Sequence, residues 1–321
     1  MEIYNSGENI EGHLYHYTDI NGLYGILKSE TFRATQSEYL NDSAEIVYIK
    51  EVLQEVLKEI KNKIPQRLNE ILKEQLLNVE GYENVKEKII QDFYKSFEEK
   101  IFEFINIMEK NICKRVFLLS FSKKEDVAHL FSSYAKNDGY CLGFDSKSFV
   151  DNLNISRNDF IEGIWNGPII YDKKIQVNNI VDVIMSTVEK LFNKEIDGQE
   201  VCKIIGSKIG VMALFYKNSE FVDEREYRIA IILKEKSEII NCIEHRVSNN
   251  LIIPYIEANF DINSLKEIMI GPTNKVDIIE KSLKSFLEIK KFKKESDKSV
   301  KEVKKADLDI KIKKSKISLR Y

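Results

Sequence analysis

The chain has 321 residues, 43% of them hydrophobic and 31% charged, which supplies a large core and excludes a wholly disordered protein. Its 49 Lys and Arg stand against 52 Asp and Glu, a formal net charge of −3. That balance excludes wrapping nucleic acid by bulk charge, though it leaves room for a local basic patch. With 13 Gly and 4 Pro the chain is neither collagen-like nor low in complexity.

The opening residues 1–11 are polar and lack the apolar stretch of a secretory signal. No run of about 18 apolar residues is present, so no membrane span is expected. Cys113, Cys141, Cys202 and Cys242 show no C-x-x-C spacing, which argues against a zinc knuckle or redox pair. They read as reduced thiols of a cytoplasmic protein.

In chain order, Leu14 to Tyr17 reads as a short strand. Asp19 stands where a helix cap belongs, ahead of Leu23, Ile26 and Leu27 at helical spacing. Leu40-Asn41-Asp42-Ser43 is a loop that caps the next helix. From 44 to 112 the pattern is helical. Ile46, Ile49, Val52, Leu53, Val56, Leu57 and Ile60 make one apolar stripe; Pro65 breaks it, and a later piece carries Phe93, Phe97, Ile101 and Ile105. This segment is expected to be a helical insertion that packs on the core and could also serve as a partner surface.

Strand character starts at Arg115, with Val116-Phe117-Leu118-Leu119 suited to burial on both faces. Residues 124–136 read as a helix, 139–145 as a strand and 169–171 as a short extended piece. Residues 177–216 are helical with an interruption near Asp197-Gly198. Strands follow at 226–233, 251–256 and 268–270, then a turn at Gly271-Pro272 and a helix over 276–287. Residues 290–305 read as a polar, basic linker, either a solvated loop or a frayed helix end, and 308–312 as a last strand. The fold class is α+β: a single domain over 1–321 with a mixed or antiparallel sheet, an insertion over 44–112, and a C-terminal part over 276–321.

Several short motifs stand in order along this frame. They are Leu14-Tyr15-His16-Tyr17-Thr18; Leu40-Asn41-Asp42 with Glu45; Leu119-Ser120-Phe121-Ser122; Ser133-Tyr134-Ala135; Gly139 through Asp145; Glu224-Arg225-Glu226-Tyr227-Arg228; Ile268 through Pro272; and Lys314 through Ile317. Together they resemble the bacterial domain of unknown function 2971 family, over nearly the whole chain. In many relatives a Trp stands near the Tyr-Ala pair, where this chain has Phe131.

A second resemblance carries chemistry. His16 through Ser29 is similar to the opening of DNA-targeting ADP-ribosyltransferase toxins. Glu224-Arg225-Glu226 is similar to the Glu-x-Glu element of that superfamily. This resemblance implies an ADP-ribosyltransferase-like fold, NAD as a substrate, a protein or nucleic-acid acceptor, and a toxin or antiviral-defence setting. It implies Glu226 as the catalytic carboxylate with Glu224 and His16 beside it. Tyr17, Thr18, Ser120, Ser122, Tyr134 and Arg228 would then be binding residues. Cleavage of the nicotinamide–ribose bond passes through an oxocarbenium-like state, which a carboxylate on the ribose hydroxyl stabilises.

Other readings of the same residues stay open. His16 on a short strand can be a satisfied structural group, Tyr134 a packing residue, and Glu226 with Arg228 an ordinary ion pair. On a strand Glu224, Glu226 and Arg228 share one face and Ser120 with Ser122 another. No G-x-S-x-G elbow surrounds the serines. His13 and His16 face opposite sides, so no metal site is expected there. The alternatives to an NAD-consuming enzyme are a catalytically silent nucleotide-binding, sensing or partner-docking module, and a metal-dependent nuclease using Asp42, Glu45, Glu224 and Glu226.

Overall fold

The computed structural model describes residues 11–40, 48–61, 113–155, 158–234, 242–248, 250–296 and 309–318, with 63, 66, 88, 91–92, 95–96, 98–100 and 103. They fall into two compact units. One takes its described residues from 36–116 and 167–223; the other takes them from 6–35, 117–166 and 224–321.

The second unit is built on a sheet. Its strands are β1 (His13–Thr18), β2 (Thr31–Gln36), β3 (Val116–Ser122), β4 (Tyr140–Asp145), β5 (Asn154–Ile155) and β6 (Ile161–Pro168). They continue as β7 (Glu226–Leu233), β8 (Glu244–Ser248), β9 (Leu251–Asn259), β10 (Leu265–Ile270) and β11 (Lys311–Lys314). The order across the sheet is β11-β10-β4-β1-β3-β2-β9-β5, with β7 against β3, β6 against β7 and β8 against β9. β1 runs antiparallel to β3 and β4, and β10 antiparallel to β4. β11 lies parallel to β10. The expected α+β fold class is what the structure has.

Period-two alternation assigns the faces. Leu14, Phe32, Phe117, Leu119, Phe121, Leu142, Phe144, Tyr227, Ile229 and Ile231 all enter one buried core. Tyr17, Cys141 and Met269 alternate away from it into a second, smaller cluster with Leu130, Phe131 and Ala135. The pairing agrees: Leu14 lies opposite Phe144, and Tyr17 opposite Cys141.

The helix Ile20–Ser29 starts as its sequence asks. The Asp19 carboxylate accepts from the Gly22 N–H at 2.9 Å, and Leu23, Ile26 and Leu27 are buried. A Cβ at Gly22 would stand 1.9 Å from Thr18 Oγ1, so any larger residue there would have to turn the buried Thr18 side chain. The helix ends at Glu30, which takes the left-handed conformation at φ 55°.

The first unit is helical where described. Residues 48–61 form a helix, and its buried stripe is Tyr48, Ile49, Val52, Leu53, Val56, Leu57 and Ile60. This is the stripe read from spacing, less Ile46, which lies outside the described residues. Phe93, Phe97, Ile101 and Ile105 also lie outside them. The helices Lys173–Phe192 and Gly198–Ala213 complete the core. The break expected at Asp197-Gly198 is a capping box: Asp197 accepts from the backbone of Glu200, whose side chain reaches back.

Four strands were not anticipated, the shortest being the two-residue β5. β2 and β8 carry charged and hydroxyl residues at every second position, and β6 contains Gly163, Asn166, Gly167 and Pro168. The helix at the C-terminal end runs Val276–Ser296, beyond the expected stop at 287.

Candidate functional site

The C-terminal end of β3 gathers most of the sequence-selected residues. Ser122 Oγ donates to the Glu224 carbonyl at 2.7 Å and accepts from the Lys124 N–H at 3.0 Å. The Lys123 N–H donates to the Arg225 carbonyl at 2.9 Å. Tyr134, 41% exposed, donates its hydroxyl to Glu224 Oε1 at 3.0 Å. Tyr17 donates to the Lys124 carbonyl at 2.9 Å and accepts from the Val127 N–H at 3.2 Å. Its ring stands edge-on to Phe131, with centroids 5.0 Å apart. Burial, and after it the neighbouring Cys141 thiol, push the Tyr17 hydroxyl's pKa well above its ordinary value. The Tyr17 hydroxyl is therefore neutral, a hub that donates one hydrogen bond and accepts another.

Glu224 and Glu226 do not continue one strand face. Glu224 ends a short 3-10 turn, Ser219–Glu224, and β7 begins at Glu226. Between them Arg225 has φ 45°, a left-handed residue that resets the alternation. Glu224 is half-buried, whereas Glu226 and Arg228 are buried. Arg228 donates from Nε to Glu226 Oε1 at 2.9 Å and from Nη2 to Oε2 at 3.1 Å. Such a bidentate pair fixes both planes. The strand face carrying this pair is thus inside the protein, not on its surface.

His16 stands apart. It shares the parity of Leu14, on the main core face, and its ring meets Phe32 edge-on at 5.0 Å and Phe121 at 5.7 Å. Nδ1 donates to the Ser120 carbonyl over 3.4 Å. Burial lowers its pKa to about 4, so the ring is neutral near pH 7. Glu226 and Arg228 alternate with Tyr227 and Ile229, which belong to that same core. By strand parity, His16 and Glu226 therefore occupy opposite faces of the sheet. Ser120 is exposed on the face away from His16, with Ser122 buried two residues on. Thr18 is buried against the first turn of the helix Ile20–Ser29. Asn41, Asp42 and Glu45 lie outside the described residues.

Spacing alone did not single out the loop after β3. Lys313 bridges Glu125 and Glu267 at 2.7 Å each. Asp126, at φ 54°, accepts from Ser315 Oγ at 2.5 Å and from the Lys316 N–H at 2.8 Å. The Ser315 N–H donates to the Ile270 carbonyl at 2.9 Å. The tail motif Lys314 through Ile317 is thus a strap pinned across the loop that also holds Tyr17 and Ser122. The signal in the sequence was the tail motif Lys314 through Ile317, which contains Ser315; Asp126 carried none.

The Gly motifs have a steric reason. The Gly271 N–H donates to the Gly139 carbonyl at 2.8 Å, and a Cβ on Gly271 would stand 2.7 Å from that oxygen. A Cβ on Gly139 would stand 2.4 Å from the Thr18 carbonyl and 2.5 Å from that of Ala135. The chain ends of β1, β4 and β10 converge only because these two positions lack side chains.

Among the described residues no three His, Cys, Asp or Glu side chains are grouped as a metal centre would require. No helix among them is long and apolar enough to cross a membrane. No curated protein matches the chain, and no solved structure does. Residues 130–229, which contain Tyr134, Glu224, Glu226 and Arg228, match the model of a family described as protein of unknown function (DUF2971), and the family resemblance holds over that stretch.

Proposed function

We propose that this chain is a nucleotide-binding module that does not turn its ligand over. The ligand is of the NAD class, contacting Ser120, Tyr134 and Glu224 at the end of β3. One observation carries the choice: Glu226 is buried in a bidentate pair with Arg228, and strand parity sets it on the sheet face opposite His16. A carboxylate that must meet a ribose hydroxyl in the transition state cannot also be held by a guanidinium in the core. The half-buried Glu224, joined to the exposed Tyr134 hydroxyl, offers a ribose and an aromatic ring more accessible partners. The cytoplasmic, defence-type setting belongs to this reading through the toxin resemblance alone.

The test is thermal unfolding of the whole chain with NAD, ATP and Mg²⁺ in separate arms, together with an assay for released nicotinamide. A ligand of the folded state raises the midpoint. The expected result is a rise with NAD that Glu224→Gln reduces, with no nicotinamide formed. Nicotinamide release by the wild type would restore the enzymatic reading. A midpoint indifferent to NAD and ATP would remove the nucleotide.

A further inference from the structure

A pair of arginines has no role in the site above; it lies on the face of β2, β9 and β8 turned away from the main core, where Arg33 is exposed, Arg246 half-buried, and Thr35 and Tyr255 buried. Arg33 and Thr35 lie on β2, opposite Glu257 and Tyr255 of β9. Arg246 lies on β8, opposite Ile253 of β9. All of these alternate away from Phe32, Ala34, Ile256 and Ala258, which enter the main core. The Arg33 guanidinium stacks over the Tyr255 ring, 4.9 Å from its centre. Arg246 reaches across β9 and donates from Nη2 to Thr35 Oγ1 at 3.2 Å. Its Nε is buried and meets no acceptor among the described residues.

Two like charges held this way repel each other. The nearness of Arg33, added to burial, lowers the pKa of Arg246 below the usual guanidinium value. Carboxylates are close in sequence register, Glu257 opposite Arg33 and Glu244 opposite Tyr255. Among the described residues neither forms an ion pair with either arginine. A donor left without an acceptor in a partly buried place is costly, and so is an unrelieved pair of cations. Both costs disappear if an oxyanion sits between the guanidinium groups. The planar forks of two arginines suit the tetrahedral oxygens of phosphate.

We infer that Arg33, Arg246 and Thr35, steadied by the Tyr255 ring, form a binding site for the phosphate group of a small phosphorylated ligand. Two guanidinium groups match one phosphate or a diphosphate. A longer polyanion would have to overcome the chain's net charge of −3. The inference stands independently of the nucleotide reading, since inorganic pyrophosphate has neither ribose nor base.

The experiment titrates the full-length protein with inorganic pyrophosphate at constant ionic strength, set against sodium chloride, and reads heat of binding and thermal midpoint. Wild type is expected to bind, and Arg33→Gln and Arg246→Gln each to weaken binding by about tenfold or more. Arg33 is exposed, so Arg33→Gln should fold. Without pyrophosphate its midpoint should equal or exceed that of wild type, because a repulsion has been removed. Arg33→Lys should keep part of the affinity. A wild type that responds to pyrophosphate no more than to chloride overturns the site. So does an Arg33→Gln variant that binds pyrophosphate as tightly as wild type.

Discussion

The toxin resemblance implies one chemistry for Glu226 and His16, but their surroundings separate them. The Glu226 carboxylate accepts two hydrogen bonds from Arg228, which is among the largest fully buried side chains. Breaking a buried ion pair by removing one partner costs about 3–5 kcal/mol. Glu226→Gln is therefore expected to destabilise the fold by that order, measured by urea unfolding at pH 7. Paired removal, Glu226→Leu with Arg228→Met, should recover much of the loss. Equal stability of Glu226→Gln and wild type would show the pair to be dispensable. His16 makes a different prediction. Its folded pKa, about 4, lies below the ordinary 6.5 because the ring is buried. Between those values the unfolded chain binds a proton that the folded chain refuses. Stability must then fall as pH drops from about 6.5 towards 4. His16→Gln should flatten that part of the profile, measured by urea unfolding at a series of pH values. The residue types and the Glu-x-Glu spacing were visible in the sequence. The positive φ of Arg225, which breaks the shared face, was not, because an arginine carries no turn signal.

The elements most legible in advance were those with a single exposed face or a strong cap. The helix behind Asp19, the stripe over 48–61 and the boundary at Asp197 are cases in point, since spacing and capping are local. β2 and β8 were missed because their outward positions hold Arg33, Thr35, Glu244 and Arg246, so only half of each strand looks apolar. β11 was expected one turn of chain earlier, over 308–312. Its place is decided by contacts far away in sequence: Lys313 with Glu125 and Glu267, and Ser315 with Asp126. That dependence gives a prediction. Asp126→Asn keeps the shape but removes the charge that two donors share, and hydrogen bonds to a charged group are each worth about 1.5–3 kcal/mol. Amide exchange at Lys316 and Ile317 should accelerate by about tenfold or more, while exchange in β4 stays as in wild type. Unchanged exchange at Lys316 would mean that the parallel pairing with β10 alone seats the strap.

At the scale of the molecule, neither unit is a continuous stretch of chain. The helical unit draws on 36–116 and on 167–223, and the sheet resumes between and after them. A sequence reading sees the first excursion as an insertion, because its apolar stripe is contiguous. It has no local signal that a second excursion completes the same core, since closing long loops leaves no mark on composition. The join is made by Gln176, fully buried. Its amide donates to the carbonyls of Ile170 at 2.6 Å and Lys217 at 3.1 Å. Its oxygen accepts from the Tyr48 hydroxyl, 128 residues away, at 2.7 Å. Nothing in the spacing of Tyr48 or Gln176 announces this, yet burying an amide is tolerable only when its donors and acceptor are met. Gln176→Met should leave the Lys217 carbonyl and the Tyr48 hydroxyl without this partner at about 1–3 kcal/mol each, while the Ile170 carbonyl keeps the Lys217 N–H, so a total loss of several kcal/mol is expected. Tyr48→Phe gives up one hydrogen bond and should lose about 1 kcal/mol plus the cost of the amide oxygen left behind. In a double-mutant cycle followed by urea unfolding the two changes should be less than additive, because Gln176→Met already removes Tyr48's partner. Strict additivity would mean that the two excursions are joined by apolar packing of Val52, Val56, Ile180 and Ile184 alone, with the polar hub adding nothing.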